Sequence, residues 1–70
     1  MILNYNKLWK LMIDKGINKT LLRKLTGIST NSLAKLGKNE SVQLETLLKI
    51  CKVLECKIDD IVDYSAIKED

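Results

Sequence analysis

Thr30, Asn31, Ser32 and Lys35 crowd four hydrogen-bonding side chains into six residues. They follow Ser29, a good helix N-cap, so they fall in the first turns of a short helix. Leu33 and Leu36 are three apart and point inward from that helix, which leaves the polar residues on its outer face. A short helix with such a face, braced from behind, is suited to a DNA major groove. Asparagine can bond adenine in two places and lysine can reach guanine acceptors, so such a face carries side chains of the types that such a groove can engage.

That helix needs a partner to brace it. Asn18 caps a preceding helix over Lys19 to Thr26, Gly27 takes the turn, and Ile28 plugs the corner behind it. Leu22 and Leu25 are expected to face inward, with Leu21 beside them. Gly37 is expected to close the outer helix, which runs from about Thr30 to Leu36. Two short helices joined by one tight turn make a helix-turn-helix.

The rest of the chain supplies the scaffold. Tyr5, Leu8, Trp9, Met12 and Ile13 form the apolar stripe of a first helix from about Asn4 or Tyr5 to Lys15, ended by a left-handed cap at Gly16. Trp9 lies on that stripe and is read as core, not as a stacking platform. After the polar loop Lys38 to Val42, a fourth helix spans about Leu44 to Leu54. Leu44, Leu47, Leu48, Cys51 and Leu54 face inward there and Ile50 flanks them. Ile58, Ile61 and Val62 suggest a short fifth helix from about Asp59 to Tyr64, with Asp59 and Asp60 favoured by the helix dipole in its first turn. Residues after Tyr64 are polar, acidic and expected to fray.

Composition fits this plan. Seventy residues, 46% of them hydrophobic, make one domain over 1–70 with a core at about 5–64. There is no proline, and glycine occurs only at 16, 27 and 37, which favours short helices over a sheet. No apolar run is long enough to span a membrane, and Lys7 and Lys10 interrupt the N-terminal apolar residues, so neither an anchor nor a signal peptide is read. The expected compartment is a reducing cytoplasm. Residues 1–54 hold ten Lys/Arg against three Asp/Glu, while residues 55–70 hold two against six. A basic body with an acidic end suits a polyanion held on one side.

Other chemistries find no support. There is no histidine, no nucleophile motif and no glycine-rich phosphate loop, so catalysis is not expected. Cys51 and Cys56 match neither a disulfide framework nor a structural zinc pattern, and no metal or cofactor is expected. Cys51 suits the inward stripe of its helix as a small apolar residue.

The whole pattern, about Tyr5 to Tyr64, resembles the Cro/repressor-type helix-turn-helix family, also called the Xre family. The resemblance is carried by Lys19-Thr-x-Leu22, Leu-Thr-Gly27-Ile28-Ser29, Ser32-Leu33-x-Lys35-Leu36, Leu44-Glu-Thr-Leu47-Leu48-x-Ile50-Cys51 and Ile58-x-Asp60-Ile61. It implies an all-α, five-helix, lambda-repressor-like fold and a sequence-specific regulator of transcription, expected to act as a repressor. By this resemblance Thr30, Asn31, Ser32 and Lys35 meet bases. Lys19, Thr20, Ser29, Lys38 and Asn39 meet phosphates. The expected partner is double-stranded DNA with a palindromic operator, bound by a homodimer that forms at least on DNA with half-sites about 34 Å apart, and no small-molecule ligand is expected. Ile2, Leu3 and Leu21 are candidates for the dimer interface. The alternative is a protein-interaction module with the same fold, such as an antitoxin or an accessory subunit. The polar Thr30-Asn31-Ser32 run favours DNA over that alternative.

Overall fold

The computed structural model describes residues 2–65. Four helices follow one another: α1 (Asn6–Lys15), α2 (Lys19–Thr26), α3 (Thr30–Gly37) and α4 (Leu44–Leu54). Local chemistry sets most of their ends. Gly16 and Gly27 both take the left-handed conformation, with φ of 68° and 74°, where a side chain would be strained. The Asn18 side chain accepts the Leu21 N–H at 2.8 Å, and the Ser29 hydroxyl accepts the Ser32 N–H at 3.0 Å. Each thus satisfies a donor that the helix leaves open.

Two ends depart from the glycine rule. Gly37 is the last residue of α3 and does not make the left-handed turn; Asn39 does, at φ 59°. Asparagine tolerates that conformation better than most residues. α4 ends on Glu55 at φ 53°, and the Cys56 N–H returns to the Cys51 carbonyl at 3.0 Å. That returning bond closes a Schellman-type cap without glycine.

The core gathers one or more residues from every helix: Leu8 and Met12 of α1, Leu22 of α2, Leu36 of α3, and Ile50, Cys51 and Leu54 of α4. Ile28 fills the corner between α2 and α3, and Ile61 seals the far end. Tyr5 is buried too, and its hydroxyl donates to the Glu40 carbonyl at 2.7 Å. That bond ties the start of α1 to the loop after α3 and satisfies the one polar atom of a buried aromatic.

The expected fifth helix does not form. Ile58–Asp60 make a single 3-10 turn, and Asp63–Ser65 extend as strand β2, pairing antiparallel with strand β1 (Ile2–Asn4) in the register Ile2 with Ser65, Leu3 with Tyr64 and Asn4 with Asp63. The Asp60 carboxylate accepts the Lys57 N–H at 3.0 Å and holds the turn. The β-branched run Ile61-Val62 then favours extension, and the strand pairing supplies backbone bonds that a one-turn helix would lack. Among the described residues the fold is therefore mostly helical, consistent with the all-α class, with four helices rather than five and a short two-stranded ribbon between its ends. Ser65 belongs to that ribbon, and the remainder of the expected frayed tail, residues 66–70, lies outside the described residues, as does Met1.

Four apolar residues read as inward are exposed: Ile13 (78%), Leu25, Leu44 and Leu48. In α4 the buried stripe is Ile50, Cys51 and Leu54, so Ile50 takes the core position assigned to Leu48. The apolar residues of α4 cover more than one face, and packing against α2 decides which face is buried.

Burial pushes the Cys51 thiol up to about 11, with Cys56 and then Asp60 adding to the push. A thiol whose pKa is raised by folding supports the fold only while protonated. Stability should hold up to the ordinary thiol value of 9.0 and then fall as pH climbs toward 11. Cys51→Ala should remove part of that fall, measured as urea midpoints over the alkaline range. An unchanged alkaline profile in the variant would assign the loss to other groups.

Candidate nucleic-acid interface

The corner between α2 and α3 is fixed by three bonds. The Gly27 N–H donates to the Arg23 carbonyl at 2.9 Å. The Thr26 hydroxyl donates to the Leu22 carbonyl at 2.7 Å and accepts the Ile28 N–H at 3.3 Å. Leu22, Ile28 and Leu36 are buried directly behind it. The angle of α3 against α2 is thus set by packing on one side and by hydrogen bonds within the turn.

α3 presents Thr30, Asn31 and Lys35 to solvent. Asn31 and Lys35 are four residues apart and share one face, and Thr30 opens the same surface at the N-terminal end. Ser32 differs. It is half-buried, and its hydroxyl accepts a bond from the Ser29 hydroxyl at 3.0 Å. Three of the four expected base-reading residues are therefore free on one surface, while Ser32 is drawn into the cap.

The expected phosphate contacts form two groups. Lys19 and Thr20 are exposed at the start of α2, where the Asn18 side chain and carbonyl occupy the Leu21 and Leu22 N–H groups. The N–H groups of Lys19 and Thr20 have no intrahelical partner and sit at the positive end of the helix dipole, which favours an anion. Lys38 and Asn39 are exposed beyond the other end of α3. Their loop is held by the Glu40 N–H donating to the Lys35 carbonyl at 2.9 Å and by the Tyr5 bond to Glu40. Ser29 is exposed between the groups, with its oxygen committed to the cap of α3.

Two features escaped the reading of the sequence. Residues 15–39 carry six Lys/Arg and no Asp/Glu, so the helix-turn-helix is a wholly cationic segment. The three acids of residues 1–54, Asp14, Glu40 and Glu45, all lie outside it. The second is a contact through space: the Lys19 ammonium lies over the Trp9 ring, 4.7 Å from its centre. Trp9 is half-buried, packed against the core rather than sunk within it, which corrects its assignment as a plain core residue. Nothing in the local spacing of residues 9 and 19 announces their meeting.

Of the expected interface residues, Ile2 is exposed on β1, Leu21 is exposed on α2, and Leu3 is half-buried against the core. Among the described residues, no group of three His, Cys, Asp or Glu could hold a metal ion, and no helix is long and apolar enough to cross a membrane.

A braced pair of helices with an exposed polar face and a cationic flank defines a helix-turn-helix domain. Residues 7–66 match the Cro/C1-type HTH DNA-binding domain, and the chain belongs to that family. It is 36% identical over 56 residues to the uncharacterized HTH-type transcriptional regulator YozG of Bacillus subtilis (strain 168), an alignment that covers 77% of this chain and 67% of that protein. It is also similar to the crystal structure of transcriptional regulator VanUg, at 51% identity and a TM-score of 0.85, covering 87% of this chain and 81% of that one. The family is one of DNA-binding domains, not of enzymes.

Because Ser29 caps α3 through its side chain, Ser29→Ala should cost about 1 kcal/mol of stability, and Ser29→Asn should keep most of it. Urea denaturation of the three proteins checks this. Equal stability of the alanine and wild-type proteins would show that the cap bond carries no net weight.

Proposed function

We propose that this chain is a sequence-specific double-stranded DNA-binding protein that regulates transcription, acting in the cytoplasm as a repressor, with residues 1–70 working as one domain. The observation that carries the reading is the exposed face of Thr30, Asn31 and Lys35 on a helix within a segment of six cations and no acids. With α3 in the major groove, those three side chains reach base edges, and Ser32 supports the cap with its hydroxyl near the same surface. Lys19 and Thr20 on one side, and Lys38 and Asn39 on the other, contact phosphates that flank the groove, with Ser29 between them. The membership of the family and the transcriptional regulators it resembles support the same reading.

A domain of this size makes few phosphate contacts alone, so the proposed complex is a homodimer on a palindromic operator. Leu21, Leu25, Leu44 and Leu48 leave apolar side chains on the surfaces of α2 and α4, and Ile2 and Leu3 offer a further edge at β1. A surface of this kind suits a second copy. An antitoxin-like or accessory module would be expected to turn a large apolar face outward on α3, and the exposed side chains there are polar apart from the small Ala34.

If the dimer neutralises 6–10 phosphates, affinity should fall about 10³- to 10⁵-fold between 50 and 200 mM salt. Duplexes enriched from a random pool provide the probe. Asn31→Ala should change the preferred base, while Lys19→Ala should weaken all duplexes alike. Failure to enrich any sequence, or salt-independent binding, would overturn the reading. Sedimentation at micromolar concentration should show association that Leu21→Glu reduces; a strict monomer both free and on DNA would remove the dimer.

A further inference from the structure

The ammonium of Lys19 sits where three helices meet. Trp9 of α1 lies beneath it, with the ring centre at 4.7 Å. The stem rises from the first residue of α2. A Cβ placed on Gly37, at the last position of α3, would come within 4.0 Å of the Lys19 Nζ. The charge therefore rests between an aromatic face and the negative end of a helix dipole, both of which attract a cation without neutralising it.

A lysine on a helix surface ordinarily samples many rotamers, and holding it for one contact costs entropy. Here the contact with Trp9 limits that freedom before any ligand arrives. The ring engages one side of the ammonium, and its three N–H donors allow a phosphate to be met at the same time. A ring quadrupole and a phosphate do not compete as two anions would, so the same cation can serve both.

We propose that Trp9 is a positioning residue for DNA binding: it holds the Lys19 ammonium in place as a preset phosphate anchor beside the N-terminus of α2. The inference rests on the DNA-binding reading above. Trp9 itself touches no base, and its part in the complex is exerted through Lys19. The indole is partly buried against the core, so its position is set by the fold, and Lys19 inherits that fixity.

The free protein gives the first test. The Lys19 Hε protons should be shifted upfield by the indole ring current in NMR spectra of the native chain, and Trp9→Leu should abolish the shift. Random-coil Hε shifts in the native protein would overturn the proposal without reference to DNA. The second test uses a labelled duplex enriched from a random pool and a scrambled duplex of equal length. Trp9→Leu should weaken both by about 2- to 5-fold per protomer, and Trp9→Phe, which keeps an aromatic face, should restore most of the loss. Lys19→Ala should cost less in the Trp9→Leu background than in the wild type. Additive losses, or equal losses from leucine and phenylalanine at position 9, would make Trp9 merely structural. Wild-type binding to neither duplex would instead overturn the functional reading, and with it the phosphate anchor. If Trp9→Leu does not fold, the ring-current shift and the Trp9→Phe and Lys19→Ala proteins still decide the matter.

Discussion

The packing of Leu22, Ile28 and Leu36 behind the Gly27 corner is the constraint on which the rest depends. α2 and α3 have eight residues each, too short to persist alone in water. They exist because their buried leucines meet the same core, and because the turn between them has no slack. The bonds made by Gly27 and Thr26 fix how far apart the helices start, and Ile28 fixes what lies between them. Every exposed residue of the polar face takes its place from those buried ones. Thr30, Asn31 and Lys35 share a surface because Leu36 has a fixed direction on the opposite side.

The features that were readable in the sequence are those decided locally. Asn18 and Ser29 announce caps because their side chains bond their own backbone three residues on. Gly16 and Gly27 announce helix ends because only glycine adopts the left-handed turn without strain. What was not readable depends on partners distant in sequence. The inward face of α4 is chosen by α2, so Leu48 and Ile50 could not be ranked from periodicity alone. Asn39 and Glu55 make the left-handed turns after α3 and α4, and neither position carries a glycine to mark it. The apolar spacing after Ile58 permits a helix, yet the strand Ile2–Asn4, more than fifty residues away, draws Asp63–Ser65 into a ribbon. The same division holds for the interface. The polar face of α3 was legible, while the meeting of Trp9 and Lys19 required the fold.

Charge is arranged with the same economy. The cationic helix-turn-helix is followed by a more acidic end around Glu55, Asp59, Asp60 and Asp63, where backbone and side-chain bonds use the local groups. The Lys7 ammonium donates to the Asp59 carbonyl at 3.1 Å, so one lysine of the basic body braces the acidic end rather than joining the interface. Net charge alone, at +3, conceals this division of roles.

The ribbon joining Ile2–Asn4 to Asp63–Ser65 has a consequence for the order of assembly. The helices and their caps form from neighbours in the chain and begin to pack early. The ribbon pairs the two most separated described segments, and its closure entropy is met only after the helices have drawn those segments together. It is therefore a late event on the folding route. On the ribosome, Ile2 has no strand to pair with until residues 63–65 have left the exit tunnel, so the domain acquires its final clasp only after that segment has emerged.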